Sequence, residues 1–319
     1  MEYKKVGSLN ASHLVLGTDK FGDELDIKES HKLLNLYTEN GGNIIDTARS
    51  YSIWAGDFTA GQSERIIGAW LKNVSRTDVY IATKCSHPES TKRMDIPRLS
   101  ESDIIFDVEG SLKDLNTDYI DLLWLHRDDE RVPVSGIMVV LHKLVKQGKV
   151  LNIGASNWTA KRIKEANEFA LDNNLTPFCA SQIKWSLAKT ASDINAVQAT
   201  IEMDENEYSF YNQEKMPVFA FSSQAKGFFY KMEQGIDAVS GKAKERYFSE
   251  KNIQKYKKIK SYCDKNNISI QSAIISSLLS NTDFDTFALI GPRSEAQLLS
   301  TIDGAKYKAD YEFFKELMF

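Results

Sequence analysis

Eight short apolar runs recur along this 319-residue chain, and most are followed by a segment with helical spacing. The runs are HLVLG (13–17), NIIDTA (43–48), VYIATK (79–84), YIDLLWLH (119–126), LNIGAS (151–156), ASQIKWS (180–186), PVFAFSS (217–223) and TFALIG (286–291). They are nearly continuous in apolar character, as strands covered on both faces should be. Between them lie helical patterns at 27–39, 63–72, 100–115, 135–149 and 159–173. Ser100-Glu101-Ser102-Asp103 forms a helix-start signature. The stretch 188–215 holds helical pieces, one of them near 204–214, and 225–250 reads as a loop with one short helix. Helices near 251–265, 269–280, 294–302 and 309–318 complete the pattern. Eight strand–helix units predict an α/β fold, a (β/α)8 TIM barrel in a single domain over 1–319 with extra C-terminal helices. A doubly wound sheet is the second reading. The lack of a G-x-G-x-x-G after the first strand counts against its dinucleotide-binding form.

Composition narrows the function. A net charge of −4 and a pI near 5.8 give no basic footprint for nucleic acid. No apolar run approaches the ~18 residues of a membrane span, and the N-terminus carries no secretory pattern. Cys85, Cys179 and Cys263 are scattered, which fits a reducing compartment. A cytoplasmic protein is expected. The five histidines show no HExxH spacing, so no metal site is expected.

In a barrel of this kind the C-terminal ends of the strands share one face, and that face carries chemistry. The ends here are polar: Asp46, Lys84, His126, Ser156 with Asn157, Gln182, Ser222 with Ser223, and Gly291-Pro292-Arg293-Ser294. A buried carboxylate needs a partner, and Lys84 on the next strand supplies one for Asp46. Tyr51 follows in the adjacent loop. On this reading the Lys84 ammonium favours the phenolate and lowers the tyrosine pKa. The phenol can then protonate a carbonyl oxygen, with His126 as a second donor. Each residue also has a plainer reading: Asp46 as a turn cap, Tyr51 as packing, Lys84 as a surface lysine, His126 as a core histidine.

The motifs together resemble the aldo-keto reductase family. These are IIDTARSYS…GQSERIIGAWL, IATK, TDYIDLLWLH, GKVLNIGASNW, SQIKW and IGPRS…Q, in that order along nearly the whole chain. The resemblance implies a catalytic tetrad of Asp46, Tyr51, Lys84 and His126, reducing an aldehyde or ketone with a nicotinamide cofactor. It implies that Ser156, Asn157 and Gln182 hold the nicotinamide carboxamide and that Phe221 stacks on the ring, where the family usually has tyrosine. Gly17, Thr18, Ser222, Gly227, Gly291, Arg293 and Gln297 fall in stretches that hold the rest of NADP(H). Thr301 stands where the family often has asparagine, which leaves NAD(H) use open. The strand-7 segment FSSQAKGFF (221–229) departs from the commoner Tyr-Ser-Pro-Leu form, and Lys226 within it is a candidate pyrophosphate contact. The loop SIWAGDFTAG (52–61) resembles that of bacterial reductases of aryl aldehydes and sugars.

Trp54, Phe58, Trp124 and Trp158 are candidate walls of a pocket for a small-molecule carbonyl substrate, with core packing the alternative, strongest for Trp124. Arg127, Asp128 and Asp129 read as a solvated loop; His87, soon after Lys84, could point to the pocket, with a loop histidine without a role as the plainer reading. Two other functions stay open. One is a nucleotide-binding redox-sensing or regulatory subunit with little turnover. The other is a barrel lyase or isomerase using Lys84 as a Schiff-base nucleophile. The sequence does not fix the substrate or the oligomeric state.

Overall fold

The apolar runs become strands because each is buried between a barrel interior and an outer helix layer. The computed structural model describes residues 1–52, 60–88, 96–191 and 199–319. Two short strands open the chain, β1 (Tyr3–Val6) and β2 (Leu9–Ser12), paired antiparallel. Eight parallel strands follow: β3 (Leu14–Gly17), β4 (Ile44–Asp46), β5 (Tyr80–Cys85), β6 (Ile120–Leu125), β7 (Val150–Ser156), β8 (Ser181–Lys184), β9 (Val218–Phe221) and β10 (Thr286–Ile290). They close into a barrel in chain order, with β10 pairing both β9 and β3. The fold is therefore the (β/α)8 barrel expected from the eight runs.

The helices that cover the barrel are α1 (Ile27–Glu39), α2 (Gln62–Leu71), α3 (Glu101–Leu115), α4 (Val134–Lys146), α5 (Ala160–Asp172), α6 (Glu205–Glu214), α7 (Phe228–Glu233), α8 (Gly241–Tyr247), α9 (Glu250–Asn266), α10 (Ile270–Leu279), α11 (Glu295–Gly304) and α12 (Tyr311–Met318). Their starts are set by polar caps, which satisfy the free N–H groups of a first turn. Asp26 makes a reciprocal capping box with Glu29, and the Ser100 hydroxyl accepts from the Asp103 N–H. Between 225 and 250 the chain forms two helices, α7 and α8, rather than one. Each is under two turns long, too short for a periodic pattern to separate them.

The N-terminal hairpin was not expected. Its strands are four residues each, and Lys4, Lys5 and Asn10 interrupt their apolar pattern. Val6, Leu9 and Ala11 nonetheless pack in one cluster with the interior residues Val15, Ile44, Ala82, Leu122, Trp124, Phe219 and Phe287. The turn needs Gly7, because its φ is +55° and a Cβ there would lie 2.1 Å from Asn152 Oδ1. Inside the barrel, Phe219 stacks on Phe287 with centroids 4.3 Å apart, and Trp124 meets Phe219 edge-on at 5.0 Å. Gly154 makes room for that indole, since a Cβ would lie 2.4 Å from Trp124 Cζ3.

Candidate active site

Asp46 ends β4 with its side chain fully buried, and three donors meet it. Lys84, near the end of β5, forms a very short contact with its carboxylate. Trp124 Nε1 donates to Oδ2 at 3.1 Å, and Gln182 Nε2 donates to the same atom at 2.9 Å. This set of partners offsets the cost of burying the carboxylate. Trp124 is thus interior packing and an Asp46 ligand together. Its role as a donor could have been read only from knowing that β4 and β6 flank β5 and that both side chains turn into the barrel interior.

Lys84 also donates to the Thr47 carbonyl at 2.8 Å and to the Tyr51 hydroxyl at 2.9 Å. Burial pulls the Lys84 ammonium down from its usual value, against the opposing charge of Asp46. Tyr51 differs from the expectation. Burial first, and the nearby Asp46 charge second, push the phenol well above its usual value near 10. The phenol is not made more acidic in this structure. It is kept protonated at neutral pH, and the Lys84 N–H stands where it can stabilise the oxygen once a proton has left.

His126 follows β6 and is buried. Its ring lies 6.2 Å from that of Tyr51, centroid to centroid, and 4.7 Å from that of His87. Ser50 Oγ is 3.3 Å from Nδ1. Burial, then the charge of Arg127, lowers the His126 pKa well below 6.5, so the ring is neutral at neutral pH. A Ser50 hydroxyl that donates to Nδ1 would leave the ring proton on Nε2 as a donor. Neither Ser50 nor His87 was singled out as a neighbour of His126 from the sequence. The tyrosine loop itself is fixed by Arg49, whose Nη1 donates to Asp114 Oδ2 of α3 at 2.7 Å and reaches Glu64 of α2 at 3.4 Å.

The remaining expected residues are placed as follows. Asn157 Nδ2 donates to the His126 carbonyl at 3.3 Å and to Ser156 Oγ at 3.1 Å, both at the end of β7. Gln182 has one amide hydrogen committed to Asp46. Thr18 is buried, and its hydroxyl donates to the Asp46 carbonyl at 3.1 Å. A Cβ on Gly17 would press on the Ile290 carbonyl at 3.3 Å, so β3 and β10 approach closely there. Phe221 ends β9 half-buried, followed by Ser222. Gly227 has φ +75° with open space where a Cβ would project. Gly291 and Arg293 are exposed, and the Arg293 N–H donates to Gln297 Oε1 at 2.8 Å. Lys226 is 4.0 Å from Asp19.

Two further expectations change. Trp158 does not line an open wall. It is fully buried, edge-on to Phe178 at 5.4 Å, because the strand end turns its ring into the packing between β7 and α5. Arg127 is not a solvated loop residue. It is half-buried, and its Nη1 donates to the His126 carbonyl at 2.8 Å. Trp54 and Phe58 lie outside the described residues. Arg293 has a partner the sequence did not suggest: Glu24, in the loop after β3, forms an ion pair with its guanidinium. A surface groove lined by Lys257, Lys258, Tyr262 and Phe313 lies between α9 and α12. No group of residues suited to hold a metal ion occurs among the described residues.

A lysine-paired phenol, a buried imidazole and a buried carboxylate thus meet at the strand ends of a closed barrel. Residues 13–318 match the profile of the Aldo/keto reductase family. The chain belongs to the aldo/keto reductase family. An uncharacterized oxidoreductase of Bacillus subtilis, YrpG, is 29% identical over 324 residues, covering 99% of this chain and 95% of that protein. A norsolorinic acid reductase of Aspergillus flavus is 35% identical over 194 residues, 56% of this chain and 48% of its own length. An aldo-keto reductase of Alternaria alternata, AFTS1, is 36% identical over 217 residues, 58% of this chain and 57% of its own. The chain thus matches about half the length of these fungal relatives.

This aldo/keto reductase is an NAD(P)H-dependent oxidoreductase. The donor set suits such a cofactor. Ser156, Asn157 and Gln182 bring hydroxyl and amide groups to the end of β7 and to β8, and Gly227 has open space over its backbone. No helix among the described residues is long and apolar enough to cross a membrane.

Proposed function

We propose that this chain reduces an aldehyde or ketone to the alcohol, with Tyr51 as proton donor and NADPH as the preferred cofactor. The observation that carries the reading is the 2.9 Å contact from Lys84 Nζ to the Tyr51 hydroxyl, with Asp46 holding the other side of the lysine. Bound NADPH supplies a hydride to the carbonyl carbon. Tyr51, kept neutral by burial, gives its proton to the carbonyl oxygen. Lys84 then stabilises the phenolate left behind, and Asp46 keeps the ammonium charged and aimed. His126, as a neutral Nε2–H donor, holds the carbonyl oxygen beside the phenol. Electrostatic stabilisation of the developing alkoxide is the largest contribution expected of the protein.

Ser156 and Asn157 fit the carboxamide of the nicotinamide, and Phe221 offers an aromatic face for its ring. Gly291, Arg293 and Gln297 fit the adenosine end, where a guanidinium suits the 2′-phosphate. Glu24 occupies that guanidinium, so the 2′-phosphate has to displace a carboxylate. The test is loss of NADPH absorbance against a panel of aliphatic aldehydes, aryl aldehydes and ketosugars, with NADH in parallel. Turnover of at least one carbonyl, faster with NADPH, is the expected result. Tight nucleotide binding with no turnover across the panel would reject the reductase reading.

A further inference from the structure

A buried charge is costly unless something pairs with it, and Arg127 lacks such a partner among the described residues. Its Nε is buried without a hydrogen-bond partner, and its one protein acceptor is the carbonyl of the preceding residue, His126. The carboxylates next to it are already engaged. Asp128 pairs with Arg162 at 3.2 Å, and Asp129 takes a bidentate contact from Arg131. Asp107 is held at 2.7 Å by Arg98, which lines a small cavity together with Arg127, Ser86 and Leu99. The charge of Arg127 nevertheless reaches the centre, since it acts on Tyr51, Lys84 and His126.

The position of this guanidinium follows from a shared acceptor. The His126 carbonyl receives Arg127 Nη1 at 2.8 Å and Asn157 Nδ2 at 3.3 Å. Arg127 therefore stands beside the carbonyl-binding histidine and the asparagine assigned to the nicotinamide. The nicotinamide is not its partner, because the oxidised ring is itself cationic. Nor is the phosphate end of the cofactor, which fits Arg293 and Gly291 beyond the end of β10. What remains is the substrate.

We propose that Arg127 binds an oxyanion carried by the substrate, a carboxylate or a phosphate a few atoms from the carbonyl. This names the substrate class of the site proposed above and rests on that reading. A guanidinium suits both oxyanions through paired N–H donors. It would also raise the local concentration of anionic carbonyls over neutral ones.

The test compares matched substrates with the full chain and NADPH: succinate semialdehyde against butanal, and phosphorylated against unphosphorylated glyceraldehyde. The expected result is a kcat/KM ratio favouring the anion by about 10- to 100-fold in at least one pair. The pair that shows it tells carboxylate from phosphate. Arg127→Gln should bring that ratio close to one, and Arg127→Lys should restore part of it. Should Arg127→Gln fail to fold, inhibition of butanal reduction by propionate or inorganic phosphate, competitive with butanal in the unaltered protein, gives the same answer. A ratio near one in both pairs, a ratio unchanged by Arg127→Gln, or no competition by either anion would overturn the proposal. Absence of turnover with every carbonyl, neutral ones included, would instead defeat the reductase reading.

Discussion

At the scale of single residues, the protonation states are set by burial more than by charge pairing. The Tyr51 phenol is held above its usual value and the His126 ring below its own, so both are in their donating forms across neutral pH. The sign follows directly. Raising the pH removes the Tyr51 proton only beyond about 10, and lowering it charges His126 only well below about 6.5. The pH profile of kcat/KM for reduction should therefore be flat from about pH 6.5 to 9, and an enzyme-derived inflection inside that window would contradict the assignment. The same burial affects stability. The unfolded chain takes up a proton at His126 near pH 6.5 that the folded ring refuses, so this histidine's contribution to stability is present above that pH and lost as the pH falls below it. A second residue prediction concerns Glu24, held down at about 2 by its hydrogen bond from Arg293. Removing its charge in Glu24→Gln should free the guanidinium and raise the NADPH-to-NADH preference several-fold, read as the ratio of kcat/KM values. An unchanged ratio would show that Arg293 does not meet the 2′-phosphate. Glu24 and Arg293 are 269 positions apart, and no local pattern in the sequence joins them. Arg127 was misread for a related reason: a charged run reads as solvated until the fold brings Asn157 to the same carbonyl.

Elements show the opposite balance. The barrel strands were legible because burial on both faces leaves long apolar runs, and Ser100 marked a helix start where its side-chain oxygen now caps an N–H group. The hairpin β1–β2 and the pair α7–α8 were not legible, since pieces of four, six and seven residues carry too little periodicity. Packing between elements was hidden too. α2 and α3 touch through Gly68, where a Cβ would lie 2.3 Å from the Asp114 carbonyl oxygen. Gly110 on α3 leaves space for the Arg49 guanidinium that ties down the tyrosine loop. Gly68→Ala should therefore force the helices apart and cost about 1–3 kcal/mol by urea unfolding. Stability equal to the parent would mean that α2 and α3 do not approach this closely.

For the whole molecule, closure is what turns a scattered set of polar residues into a site. Asp46, Lys84, His126, Asn157 and Gln182 belong to five successive strands, and the hydrogen bonds among them exist only because the sheet wraps from β3 round to β10. The sequence could place these residues at strand ends, and the order of the motifs could point to the family. It could not show that Gln182 would lean on Asp46, or that Trp158 would turn inward, because those outcomes depend on side-chain packing across the barrel. The central claim is that Tyr51 gives the proton and Lys84 steadies what remains. The most direct measurement is Tyr51→Phe, assayed for NADPH binding by fluorescence and for turnover of the best carbonyl. The account predicts binding within a few-fold of the parent and kcat lower by at least ~10²-fold; near-parental turnover with intact binding would contradict it.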